Sequence, residues 1–75
     1  MTKNQAFGIV LKKIRLKQQL TQENLSFEAG LTRVYIGELE NGQKSPTLET
    51  IFKLSKALKV KCSKLIELTE NEFNK

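Results

Sequence analysis

An all-α domain, a compact bundle of five short helices built around a helix-turn-helix, follows from three features of this 75-residue chain. Apolar residues recur at the spacing of one helical face, good helix caps punctuate the segments, and the stretch from Thr21 to Glu40 joins two helices through a turn centred on Gly30. Counted from Gln22, the residues Leu25, Ala29, Leu31, Ile36 and Leu39 take the buried positions of two crossed helices, with Ser26 at the crowded crossing. Gly30 fills the turn that needs an unhindered backbone.

The first helix is expected from about Asn4 to Gln18. Phe7, Val10, Leu11 and Ile14 fall at i, i+3, i+4 and i+7, with Lys12, Lys13 and Lys17 on the opposite face. Thr21 caps the second helix, and Glu23 lies in its first turn, where an acid suits the helix dipole. Gly30 closes it. Thr32 caps the third, which Asn41-Gly42 ends with the residues most tolerant of a left-handed conformation. After the loop Gln43-Lys44-Ser45-Pro46, Thr47 caps a fourth helix whose buried stripe is expected to be Leu48, Ile51, Phe52, Ser55 and Leu58, supported by Leu54. A shorter fifth helix carries Leu65, Ile66 and Leu68. Residues 1–75 thus form one domain with its core over about residues 5–69 and a tail, 70–75, polar except for Phe73 and expected to fray.

A core this small supplies only about 3–5 kcal/mol, so a partner subunit is expected. Thirteen Lys and Arg against eight acids leave a net charge of +5, which favours a polyanionic partner without proving one. The chain has neither a membrane-spanning apolar run nor an apolar signal-peptide core, so a cytoplasmic location is expected and no membrane partner. One cysteine excludes an internal disulfide, and the lack of histidine excludes familiar zinc sites and an imidazole base; no metal or cofactor is expected. Cys62 reads as a small buried apolar residue or, alternatively, a redox-sensing thiol. With no Asp and no Gly-rich phosphate loop either, an enzyme is not expected.

The pieces Lys13-Ile-Arg15, Leu20-Thr-Gln-Glu-Asn-Leu25, Gly30-Leu31, Tyr35-Ile36, Leu39-Glu-Asn-Gly42, Ser45-Pro-Thr-Leu-Glu-Thr-Ile51 and Ala57-Leu-Lys-Val60 stand in order along the chain. Together they resemble the XRE family, the Cro- and cI-like helix-turn-helix regulators, over about residues 7 to 68. The resemblance implies a lambda-repressor-like fold and a sequence-specific transcriptional regulator. The short length and the Arg33-Val-Tyr-Ile36 start of the third helix are similar to controller proteins of restriction-modification systems, which are dimeric autoregulators. Ser26 stands where the family more often has Ala; its hydroxyl is expected to bond back to the carbonyl of Gln22. Gly37 stands where the family has Ser or a larger polar residue. Either the backbone approaches DNA closely there or one family contact is missing.

If Ile36 and Leu39 point inward, Arg33, Val34, Gly37 and Glu38 fall on the outer side of the third helix, the base-reading side. Arg33 suits guanine, Val34 a thymine methyl, and Glu38 a cytosine amino group; Glu38 reads equally as an orienter of Arg33 or a solvated charge. Gln22 lies at a helix N-terminus that suits a phosphate, and the resemblance implies the same role. Thr32, Tyr35, Asn41, Gln43 and Lys44 are placed to reach the sugar-phosphate edge. The competing readings are loop polarity for Gln43 and Lys44 and core packing for Tyr35. The resemblance further implies a structural ion pair between Arg15 and Glu40.

The expected partners are a palindromic double-stranded operator and a second copy of the chain. The homodimer contact, placed by the resemblance at the end of the fourth helix and on the fifth, is assigned to Val60, Leu65, Ile66 and Leu68. Glu23, Glu28 and Glu49 serve equally as a contact with RNA polymerase, for activation, or as solvated charges. The alternative function, an antitoxin or anti-repressor interaction module on the same fold, calls for a partner-binding segment beyond the last helix.

Overall fold

The computed structural model describes residues 1–75 as five helices: α1 (Lys3–Lys17), α2 (Gln22–Ala29), α3 (Arg33–Glu40), α4 (Leu48–Leu58) and α5 (Cys62–Phe73). Four of them start at a threonine, Thr2, Thr21, Thr32 and Thr47, whose hydroxyl accepts the backbone N–H three residues on. Gln5 and Asn24 complete capping boxes at the first two. A cap of this kind contributes about 1 kcal/mol, and Thr2 starts α1 one residue ahead of the sequence expectation.

The buried core takes side chains from every helix: Phe7, Val10 and Leu11 from α1, Leu25 and Ala29 from α2, Ile36 and Leu39 from α3, Leu54 and Leu58 from α4, and Leu65 from α5. The turn between α2 and α3 is made by Gly30 at φ +67, with the Leu31 N–H donating to the Ser26 carbonyl at 2.9 Å. Across the core, α1 lies directly on the end of α3. A Cβ at Gly8 would stand 2.5 Å from the carbonyl oxygens of Leu39 and Glu40, so the two backbones meet where no side chain fits. No helix is long and apolar enough to cross a membrane.

Four local expectations are corrected. The buried stripe of α4 is Thr50, Leu54, Ser55 and Leu58, with Ile51 half-buried, while Leu48 and Phe52 are 72 % and 57 % exposed. Apolar residues occur around more than one side of α4, and its crossing with α2 and α5 selects the face that Leu54 occupies. The Ser26 hydroxyl donates to the carbonyl of Glu23 at 2.7 Å rather than to that of Gln22. Of the pair ending α3, only Gly42 is left-handed, at φ +73; Asn41 stays at φ −87.

Lastly, α5 continues to Phe73 instead of fraying from Glu70. Glu72 accepts from Lys13 of α1 at 3.3 Å and from Lys75 at 3.1 Å, and the Lys3 ammonium sits 5.9 Å from the Phe73 ring centroid. These contacts tie the C-terminal turns to α1. Cys62 is half-buried, its sulfur 2.9 Å from the Ser55 hydroxyl.

Candidate nucleic-acid interface

The orientation of α3 is set from its inner side. Arg15, only 8 % exposed in its side chain, donates from Nε to Glu40 Oε2 at 2.6 Å and from Nη2 to Oε1 at 3.0 Å, while its Nη1 donates to the Leu20 carbonyl at 2.7 Å. Hydrogen bonding to Glu40 holds the Arg15 guanidinium above its already high pKa. Gln22, at the start of α2, adds a third donor: its Nε2 reaches Glu40 Oε1 at 3.0 Å. The carboxylate thus binds the ends of α1, α2 and α3 together.

With Ile36, Leu39 and Glu40 buried, the opposite side of α3 faces solvent. Arg33 and Val34 are exposed, Val34 by 67 %, and Gly37 and Glu38 are partly exposed behind them. None of the ion pairs involves Arg33 or Glu38, so the two charges are not tied to each other. The Thr32 hydroxyl accepts from the Tyr35 N–H at 3.1 Å, leaving its own hydrogen free to donate outward. Asn41, Gln43 and Lys44 are exposed, following α3 into the loop that leads to α4.

Two of the predicted backbone contacts have partners inside the fold. The Tyr35 hydroxyl lies 3.2 Å from the buried Thr50 hydroxyl, which is itself 2.9 Å from that of Thr47. Tyr35 therefore packs sideways, joining α3 to the start of α4. For Gln22, one N–H is committed to Glu40, a link that spans 18 residues and that no local pattern announces. The predicted dimer residues also separate: Leu65 is fully buried in the core, whereas Ile66 is 50 % exposed and Val60 and Leu68 are half-buried. Leu65 is thus removed from the assigned contact surface, because its side chain is spent on the monomer.

The helix-turn-helix family model matches residues 11–65. The chain is 42 % identical over 64 residues to the control protein C.BamHI of Bacillus amyloliquefaciens, covering 84 % of this chain and 79 % of that one. The structure of the restriction-modification controller protein C.AhdI from Aeromonas hydrophila superposes with a TM-score of 0.81 at 39 % identity, over 83 % of this chain and 94 % of the other. The controller protein C.Esp1396I, solved as a tetramer in complex with its natural 35 base-pair operator, gives a TM-score of 0.89 at 29 % identity over 100 % and 99 % of the two chains. The exposed outer face of α3, its locked inner face and these likenesses agree: the chain belongs to the helix-turn-helix family of DNA-binding transcriptional regulators, among the controller proteins of restriction-modification systems.

Proposed function

We propose that this protein is a cytoplasmic, non-catalytic controller that binds a palindromic operator as a homodimer and regulates its own transcription unit. The observation that carries this reading is the division of α3 into a buried face locked by Arg15 and Glu40 and an outer face on which Arg33 and Val34 have no partner in the chain. A guanidinium so placed takes the O6 and N7 acceptors of guanine, and the valine methyls take a thymine methyl. Glu38 adds an acceptor for a cytosine amino group. Helix α3 carries one cation and two acids, so the attraction to phosphate comes from beyond it, from Lys44 and from the polar groups of Thr32, Asn41 and Gln43.

The dimer surface in this reading is Ile66 with Val60 and Leu68, and two copies related by a two-fold present two α3 helices to one side of the duplex. Selection from a randomised duplex pool tests the proposal. The expected product is an inverted repeat whose half-sites are centred about one helical turn, or a multiple of it, apart, bound with an affinity that falls steeply with salt. Recovery of sequences with no two-fold symmetry, or with no preference at all, would overturn it.

A further inference from the structure

Glycine inside a helix is unfavourable relative to alanine, so a glycine there calls for a reason. At Gly8 the reason lies inside the fold, since a Cβ would strike the backbone of α3. At Gly37 it does not. A Cβ built at Gly37 meets nothing closer than the side-chain amide of Gln22, at 3.8 Å from Oε1 and 3.9 Å from Nε2, which is ordinary van der Waals contact. The protein's own packing therefore admits a side chain at position 37, on the same outer face as Arg33, one turn earlier.

The atoms beside that gap have a fixed orientation. The Glu40 oxygens accept from Arg15 Nε and Nη2, and the Gln22 NH2 group, not its carbonyl, turns toward Oε1 at 3.0 Å. One N–H is used there. The carbonyl Oε1, which has no hydrogen-bond partner in the chain, and the second N–H remain, a donor and an acceptor side by side on a partly exposed residue. That is the pairing adenine takes in the major groove, N6–H donating to the amide oxygen and N7 accepting from the amide nitrogen.

Resting on the reading of α3 as the groove-entering helix, we propose that Gly37 opens a slot through which Gln22 reads an adenine, and that Glu40 is the positioning residue that fixes the amide for it. Gln22 is then a specificity determinant contributed by α2, added to Arg33 and Val34 of α3.

The test uses the full chain. Preferred duplexes are selected for the wild type, Gln22→Met, Gly37→Ala and Arg33→Ala, and the affinities are measured on the wild-type site. Gln22→Met is expected to lose preference at one A·T pair per half-site, and 7-deazaadenine placed there should weaken the wild type about tenfold while leaving Gln22→Met unchanged. Gly37→Ala should melt at a higher temperature than wild type yet bind the site about tenfold more weakly. Unchanged selectivity of Gln22→Met, a loss at a G·C pair instead, or a Gly37→Ala protein that melts lower or binds as tightly as wild type would each overturn the inference. Arg33→Ala separates the two levels. If it loses selectivity while Gln22→Met does not, only the adenine contact falls; if it too keeps full selectivity, the reading of α3 as the base-contacting helix fails.

Discussion

Arg15 and Glu40, 25 residues apart, are joined through two parallel hydrogen bonds of 2.6 and 3.0 Å at a site where neither side chain is more than 8 % exposed. One partner belongs to the first helix and the other ends the third, so the bond fixes the angle at which α3 is presented. Removing one charge leaves the other buried.

Arg15→Met is accordingly expected to destabilise the fold by about 3–5 kcal/mol, because Gln22 alone cannot neutralise Glu40. Urea denaturation followed by circular dichroism measures this. The double substitution Arg15→Met with Glu40→Leu should recover part of the loss, as no unpaired charge remains. A single variant within 1 kcal/mol of wild type, roughly the value of a surface pair, would show that the bridge is solvated.

Readers and anchors should separate cleanly in binding experiments. Arg33→Ala is expected to cost about 1–3 kcal/mol on the preferred duplex and to relax selectivity at one base pair per half-site. Lys44→Ala should weaken cognate and scrambled duplexes alike and flatten the dependence on salt. Titration by fluorescence anisotropy at three salt concentrations distinguishes them; equal losses on both duplexes for Arg33→Ala would remove it from the base-reading set.

Neighbouring residues of α5 should fail in different ways. Leu65→Ala empties a fully buried site and is expected to lower stability by about 2–5 kcal/mol. Ile66→Glu, at a half-exposed position, should leave the helical spectrum intact and halve the mass in sedimentation, since a charge would face its own symmetry mate. Sedimentation of Ile66→Glu as a dimer would place the interface elsewhere.

The end of α5 should be acid-sensitive. Lys75 chiefly, and Lys13 with it, hold the Glu72 carboxyl below its ordinary pKa, so its stabilising effect is present above the unfolded carboxyl value and is lost as pH falls through the lowered folded one. Glu72→Gln is expected to increase hydrogen exchange in residues 70–74 at pH 7 in low salt. The difference from wild type should vanish in strong acid and shrink in high salt. Equal exchange at pH 7 would show that these contacts do not hold the last turns.

The caps were the most legible part of the chain. Thr21, Gly30, Thr32 and Thr47 act locally, through bonds to residues three positions away, so their meaning is contained in a short window. The face of α4 was not legible in this way, because Leu48 and Phe52 are as apolar as Leu54 and only the crossing with other helices decides which is covered. The extent of α5 differs from the expectation for a related reason: Glu70 to Lys75 is polar except for Phe73, and what secures it on α1 is Lys13, 59 residues from Glu72, and Lys3, against the Phe73 ring. At the site, the outward positions of α3 could be counted from Ile36 and Leu39. The engagement of Gln22 by Glu40 and of Tyr35 by Thr50 could not, since both depend on how separate helices meet.

The contact at Gly8 sets a length scale beyond this one chain. Helix α1 packs against both α3 and α5, so in the proposed dimer it is the spacer between the helix proposed to enter the groove and the helix proposed to lie at the symmetry axis. In a two-fold assembly any change in the thickness of that spacer is counted twice, once on each arm. A side chain at position 8 would push α3 outward in both subunits and stretch the distance between the two groove-entering helices. The protein would then be out of step with the helical repeat of its own operator while every base-facing residue remained in place. In the proposed dimer, residue 8 would thus act as a gauge of operator spacing, although it lies against the end of α3 inside the fold.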